Sequence, residues 1–357
     1  MKQPAKTVLI TGANVGLGKD VARQLALRPD FDRIYLGCRN PAKAEQARRD
    51  LERVTGRSIF EVVVLDLSNL DSVRAAASAI ERPLDAVLLN AGGIGGRTPM
   101  ALTRDGVTEV FAQNVLGHVV LLQELVSAGA LTEVAVLTGT EAARGVPKLR
   151  IPRPAFDESS VEEFVSVIDG SFFRERKLIA TLAYGQVKYL GALWIAAMAR
   201  RHPELRLITM SPGNTAGTEA LRDQPAPMRF IASRLVFPYV MPALGIGHKL
   251  EVGAGRLVDA VTNASLTSGV FYASAAKTIT GPVSDQAEIV PQLRDETIQD
   301  HAYEAIARFV PEIASTRPAL MRRVGPSALR VTGLSRESAQ VAGDEVIQQS
   351  IPDMEST

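Results

Sequence analysis

Short apolar runs alternate with amphipathic stretches through the first 140 residues of the chain. Residues 7–11 (TVLIT), 33–38, 60–65 (FEVVVL), 85–90 (DAVLLN) and 134–137 are dominated by apolar and β-branched residues, which predicts strands. Between them, residues 17–27, 41–54, 70–80 and 106–127 place apolar side chains at helical spacing. Largely apolar strands separated by helices predict a parallel sheet covered on both faces.

The pattern weakens in the middle. Residues 145–177 contain Pro147, Pro152 and Pro154 and read as an insertion with one short helix at 161–168. Regularity returns with a helix at 181–201 and a strand at 205–210. Residues 212–250 are proline-rich, and 230–247 within them are strongly apolar. A helix at 252–261 and a strand at 270–273 are expected to complete the sheet. The domain reading is one domain over 1–317, with the insertion at 145–177, a lid at 212–250 and a C-terminal extension at 318–357.

Composition narrows the function classes. The chain has 357 residues, 46% of them hydrophobic and 22% charged, as in a globular protein. Forty Lys and Arg against 39 Asp and Glu leave a net charge of +1, so a broad nucleic-acid or anionic-lipid surface is not expected. Cys38 stands alone and cannot form an internal disulfide, which suits a reducing compartment. With neither a signal-like N-terminus nor an uninterrupted apolar span, a cytoplasmic location is expected, without a transmembrane segment. Four dispersed histidines and one cysteine predict no metal site.

The chemistry begins at the first turn, Thr11-Gly12-Ala13-Asn14-Val15-Gly16-Leu17-Gly18. It follows a strand and opens a helix, where glycines let the backbone approach a pyrophosphate that the helix N-terminus stabilises. After the second strand stands Gly37-Cys38-Arg39-Asn40, without the acid that would hold a ribose 2′-hydroxyl. Arg39 suits a 2′-phosphate, so NADP(H) is expected over NAD(H); the alternative is a solvated surface arginine. Asp66, with Leu67, is placed either to accept from an adenine amino group or to cap the next helix with Ser68. Asn90-Ala91-Gly92 leaves room for the cofactor ribose at the same sheet edge. Tyr184 and Lys188 share a helix face at i and i+4, and a neighbouring ammonium is expected to lower the phenol's pKa.

Together with Asn114 in the long helix and Pro212-Gly213 after the sixth strand, these residues resemble the short-chain dehydrogenase/reductase family over roughly residues 6–310. The resemblance implies a doubly wound α/β fold of Rossmann type and hydride transfer at nicotinamide C4. It implies Tyr184 as catalytic acid/base, Lys188 on the nicotinamide ribose, Thr140 (or Thr138) as the substrate-orienting hydroxyl, and Asn114 beside a proton-relay water. The alternative for Asn114 is a satisfied polar group of its helix. Residues 213–218 are expected to pass the nicotinamide carboxamide, with Thr215 and Thr218 both candidates.

The segment 37–45, Asn114-Val115-Leu116-Gly117-His118, and the long insertion before Tyr184 look like the light-dependent protochlorophyllide oxidoreductase branch. Two departures stand out. That branch carries a cysteine after the Pro-Gly where this chain has Asn214, and its Tyr-Lys-x-Ser-Lys is here Tyr184-Gly185-Gln186-Val187-Lys188. The expectation is therefore an NADP(H)-dependent reductase of a carbonyl or polarised C=C in a hydrophobic substrate, enclosed by the insertion and the lid. Light-dependent protochlorophyllide reduction and a non-catalytic NADP-binding sensor are the alternatives. A homo-oligomer or a peripheral membrane contact through the lid is compatible with the pattern.

Overall fold

The computed structural model describes residues 5–94, 98–147, 151–174, 180–215, 247–276 and 278–310. Eight strands hydrogen-bond in the order β3-β2-β1-β4-β5-β6-β7-β8. They are β1 (Lys6–Thr11), β2 (Phe31–Cys38), β3 (Phe60–Val64), β4 (Leu84–Leu89), β5 (Leu131–Thr138), β6 (Arg206–Met210), β7 (Phe271–Ser274) and β8 (Val283–Asp285). The first seven run parallel, and β8 pairs antiparallel with β7. The order reverses between β1 and β4, where an open parallel sheet leaves a crevice at its carboxyl edge.

The helices are α1 (Gly16–Ala26), α2 (Pro41–Thr55), α3 (Leu70–Ser78), α4 (Glu109–Ser127), α5 (Val161–Ile168), α6 (Ala180–Arg201), α7 (Leu250–Thr262) and α8 (Glu296–Ala307). Several start for a local reason. Asn40 accepts from Lys43 N at the head of α2, with Pro41 in the first turn, and Gly56 closes that helix at φ 68°. Ser160 caps α5 through Glu163 N, and the Glu163 carboxylate turns back to accept from the N–H groups of Asp157, Glu158 and Ser159.

Two apolar cores flank the sheet. One is built by α1, α2 and α7, the other by α3, α4, α5, α6 and α8. Helix α6 is buried from Gly185 to Ala199, Trp194 included, because the sheet covers one side and α5 and α8 cover others. Each fully buried large apolar side chain there contributes roughly 1.5–3 kcal/mol. Glu109–Ser127 is apolar and long enough to cross a bilayer by composition, yet it is mostly buried as a core helix of this face.

Two expectations, the end of the sheet and the start of the long helix, need correction, the short helix at 161–168 falls as expected, and two further features were not anticipated. The sheet does not end at the strand after α7, since β8 adds an antiparallel edge. Helix α8 was not legible, because its buried face is made of Gln299, Ala302, Ala305 and Ile306, mostly small or polar. The long helix begins at Glu109, not at Gly106, which turns with φ 76°, and residues Ala112–Leu116 widen into a π segment. The described part of the insertion enters the core as well: Phe164, Val167 and Ile168 are fully buried, and Phe156 meets Phe164 edge-on at 5.1 Å and stacks on Tyr189 of α6 at 5.6 Å. Most of the expected lid (216–246) and the extension (318–357) lie outside the described residues.

Candidate active site

The carboxyl edge of the sheet gathers most of the residues singled out above. Thr11 ends β1, and its Oγ1 accepts from Asn90 N at 2.8 Å and Ala91 N at 2.9 Å, while Asn90 Nδ2 donates to Thr11 O. The glycine turn is thereby fastened to the segment after β4. A Cβ on Gly12 would meet Ala91 at 3.0 Å, and one on Gly18 would fall 2.5 Å from Gly12 O and 2.7 Å from Asn90 Nδ2. Gly12 and Gly16 also have φ of 69° and 57°. Helix α1 starts after Val15, an exposed residue whose side chain caps nothing, and its first turn carries no acid. Its leading N–H groups are therefore free of a side-chain acceptor, with Asn14, Val15, Gly16 and Leu17 around them. That is the setting of an anion site.

Arg39 lies exposed at the carboxyl end of β2, and Cys38 before it is buried, its thiol pushed up to about 11 by burial. Asp66 Oδ1 accepts from Ser68 N and Oγ, but the cap of α3 is Asn69, so the capping alternative for Asp66 is a turn and not a helix cap. Leu67 is buried, with its carbonyl against Gly117 of α4.

Three predicted residues converge next. Gly92 has φ 149°, and a Cβ there would strike Asn114 Oδ1 and come within 3.6 Å of Lys188 Nζ. Asn114 is fully buried in the π segment and donates to Gly93 O at 2.7 Å and Val110 O at 2.8 Å. Lys188 is 2% exposed and donates to Thr138 O at 2.9 Å. Burial pushes its ammonium down to about 7. Its Nζ stands 5.9 Å from the centre of the Tyr184 ring.

The Tyr184 phenol shows the reverse of the expected shift. It is pushed up to about 12, first by burial and then by the charge of Glu141. The sequence argument counted the lysine and missed the desolvation and the anion, which favour the neutral phenol. Some ring surface stays open although the ring packs on the core. Thr140 is the cap of a single 3-10 turn, Glu141–Arg144, and its Oγ1 accepts from Ala142 N at 3.3 Å. That turn touches α6 closely: Ala142 O lies 2.6 Å from where a Cβ on Gly185 would be. Thr138 instead gives its carbonyl to Lys188 and keeps its hydroxyl buried.

After β6, Pro212 leads into Gly213 at φ 78°, and Thr215 Oγ1 donates back toward Pro212 O and Gly213 O. Thr215 also bridges to His248, so the two ends of the expected lid segment, 212–250, are paired. Thr218 lies outside the described residues.

Sequence reasoning missed two buried groups here. His118 places Nε2 3.0 Å from Thr11 Oγ1 and Nδ1 3.3 Å from Asn114 O. Glu141 accepts from Ser211 and Ser274 in the ends of neighbouring strands. A histidine four residues after Asn114 and a carboxylate one residue after Thr140 were the available signals.

Comparison with known proteins agrees with this geometry. The family model for short chain dehydrogenases matches residues 6–139. Mouse (Mus musculus) retinol dehydrogenase 11 is 40% identical over 121 residues, 33% of this chain and 37% of that protein, so the chain spans little more than a third of such relatives. Chloroplastic protochlorophyllide reductase B of Oryza sativa subsp. japonica is 31% identical over 288 residues, 74% of this chain and 68% of the relative. Among solved structures, L-sorbose reductase from Gluconobacter frateurii aligns with a TM-score of 0.53 and 16% identity, covering 77% of this chain and 97% of that one. The NADPH-bound carbonyl reductase from chicken fatty liver aligns at 0.50 and 15%, covering 78% and 100%. A glycine turn at the head of α1, a buried Asn114 and a Tyr184/Lys188 pair, in a chain that matches a reductase relative along most of its length, place this chain in the short-chain dehydrogenase/reductase family.

Proposed function

We propose that the chain is an NADP(H)-dependent reductase of a carbonyl or polarised C=C group in an apolar substrate. The observation that carries this is the meeting of Tyr184, Lys188 and the Thr140 turn beside a glycine turn built for phosphate. The cofactor fit rests on the α1 N-terminus, which has neither a side-chain cap nor a first-turn acid, and on Gly12, Gly16 and Gly18, whose missing side chains leave the backbone approachable. Arg39 would hold the 2′-phosphate, Asn90, Ala91 and Gly92 would border the ribose, and Pro212, Gly213 and Thr215 would border the carboxamide.

When bound, the nicotinamide supplies the hydride. The protein's part is to hold a proton and orient the acceptor. Tyr184, with its phenol kept neutral, donates to the substrate oxygen or carbon. Lys188 spends one hydrogen on Thr138 O and keeps the others for the ribose hydroxyls. Thr140 accepts from Ala142 N, which leaves its hydroxyl hydrogen for a substrate oxygen. Asn114, locked to Gly93, fixes the floor beneath Lys188.

The names of the relatives, retinol and protochlorophyllide enzymes, support a bulky apolar substrate. Asn214 stands where the protochlorophyllide branch has a cysteine, and an amide is a poor proton donor, so a dark reaction is the favoured reading. The test is NADPH oxidation across ketones, enones, retinoids and tetrapyrroles, in darkness and in light, with Tyr184→Phe as control. Dark turnover that Tyr184→Phe abolishes is expected. Turnover of protochlorophyllide in light alone would transfer the chain to that branch, and full activity in Tyr184→Phe would leave it a cofactor-binding protein without this chemistry. For the cofactor, Arg39→Asp should weaken NADPH binding by roughly tenfold while sparing NADH. Equal affinities in the parent protein would remove the 2′-phosphate assignment.

A further inference from the structure

Helix α4 carries a second polar side chain inward one turn after Asn114. His118 is 1% exposed among Val115, Val119, Leu121 and Leu122, which belong to the core. Its Nε2 stands 3.0 Å from Thr11 Oγ1, and its Nδ1 stands 3.3 Å from Asn114 O. Thr11 ends β1 at the glycine turn, and Asn114 lies in the π segment Ala112–Leu116. One imidazole therefore spans from the turn suited to phosphate to the segment that borders Lys188.

The neighbouring donors and acceptors fix the tautomer. Thr11 Oγ1 accepts from Asn90 N and Ala91 N, and its own hydrogen goes to Nε2 in preference to Leu88 O, 3.4 Å away. Nε2 is then bare, and Nδ1 carries the hydrogen that Asn114 O accepts. Burial, with the Lys188 charge, pushes this ring down to about 3 and so keeps it neutral. The Asn114 amide is gripped as well, since Oδ1 accepts from Gly93 N while Nδ2 donates to Gly93 O and Val110 O. A Cβ on Gly92 would strike Asn114 Oδ1 and come within 3.6 Å of Lys188 Nζ, so amide and ammonium border the same stretch of backbone. A π segment breaks the regular helical ladder, and its backbone takes the register that its partners impose.

We propose that His118 is a positioning residue for the nicotinamide half of the cofactor: by bridging Thr11 to Asn114 O, it sets the π segment, and with it Asn114, Gly92 and Lys188, against the glycine turn. This rests on the reading of Lys188 as the group that takes the ribose hydroxyls. His118 acts through Asn114 and Thr11, not on the cofactor itself.

The two links can be cut one at a time. Asparagine carries its amide nitrogen where Nδ1 stands, so His118→Asn keeps the donor to Asn114 O and loses Thr11. Glutamine reaches Thr11 with its amide oxygen, so His118→Gln keeps that link and leaves Asn114 O without the donor. Each variant is titrated calorimetrically with NADPH and with adenosine 2′,5′-bisphosphate, which carries the 2′-phosphate but no nicotinamide. His118→Gln should bind NADPH about tenfold more weakly than the parent and the bisphosphate within about twofold of it. His118→Asn should bind NADPH several-fold more tightly than His118→Gln. A residue that only supports the fold would weaken both probes together. That result, unchanged NADPH affinity in His118→Gln, or no advantage of His118→Asn overturns the proposal.

Should either variant not fold, the parent decides by NMR of 15N-labelled histidine, with His202→Gln, His248→Gln and His301→Gln assigning the other three rings. His118 should be the Nδ1–H tautomer at neutral pH, and its Nδ1 signal should shift with NADPH but not with the bisphosphate. The opposite tautomer, or a signal that NADPH leaves in place, overturns the proposal. A parent that binds no NADPH overturns the cofactor reading and this proposal together, whereas a parent that binds it beside variants without the split overturns this proposal alone.

Discussion

Asn114 and Gly93 exchange two hydrogen bonds, Asn114 Nδ2 donating to Gly93 O at 2.7 Å and Gly93 N donating to Asn114 Oδ1 at 3.1 Å. The side-chain amide imitates a peptide group and pairs with the segment after β4, which is why that segment passes so close to Lys188. Asn114→Asp cannot make the exchange, because a carboxylate has no hydrogen for Gly93 O. The variant should lose roughly 1–3 kcal/mol of stability in urea unfolding. A midpoint equal to that of the parent would mean that the pairing contributes nothing.

Lys188 gives the stability curve a signature on the alkaline side of neutrality. Its native pKa, about 7, lies below the usual 10.5, so between those values the unfolded chain binds the extra proton. Stability therefore rises with pH across that window, by at most about 1.4 kcal/mol per pH unit. Tyr184 acts oppositely, but only above its usual value of 10. Lys188→Met should flatten the rise between neutrality and pH 10 in cofactor-free protein and abolish turnover. A slope that survives the substitution assigns it to other groups.

His118 predicts acid sensitivity. Thr11 Oγ1 accepts from two backbone N–H groups and so has its own hydrogen to give to Nε2, which leaves Nδ1–H to donate to Asn114 O. Burial, with the nearby Lys188 charge, pushes this imidazole down to about 3. The native value lies below the unfolded one, so stability present above pH 6.5 is lost as pH falls toward 3. His118→Asn should unfold more easily at neutral pH by about 1–2 kcal/mol yet show a shallower acid limb. Parallel curves for the two proteins, measured by thermal unfolding from neutral to acid pH, would refute the assignment.

Gly18 packs the head of α1 against the turn that precedes it. In Gly18→Ala the new methyl would lie 2.5 Å from Gly12 O and 2.7 Å from Asn90 Nδ2, so backbone must move. We expect NADPH affinity to fall by roughly tenfold or more, with about 1–3 kcal/mol of stability lost to overpacking. Isothermal titration of the purified variant measures the first, and unchanged affinity would show that the turn tolerates the shift.

Much of the site was readable from the chain because it is local. Tyr184 and Lys188 are one helical turn apart, the glycines sit within a single turn, and Asn90 to Gly92 directly follow a strand. Asn114 could be named, but its pairing with Gly93 could not, since that depends on a π segment whose register no periodicity announces. Edge strand β8, with three residues, is too short to show alternation, and α8 hides its buried face in alanines.

The direction of the Tyr184 shift marks the boundary most sharply. Spacing alone placed an ammonium near the phenol and predicted a fall. Desolvation and the Glu141 charge, which only the packed fold supplies, produce a rise. Glu141 meets Ser211 across 70 positions and Ser274 across 133, separations at which a linear pattern holds no information about contact. Sequence by itself determined the alternation of strands and helices, and with it the edge of the sheet where a dinucleotide is expected to lie. Tertiary structure decided which buried charges face one another there, because burial and electrostatic coupling depend on distances between chain segments that short-range spacing does not set.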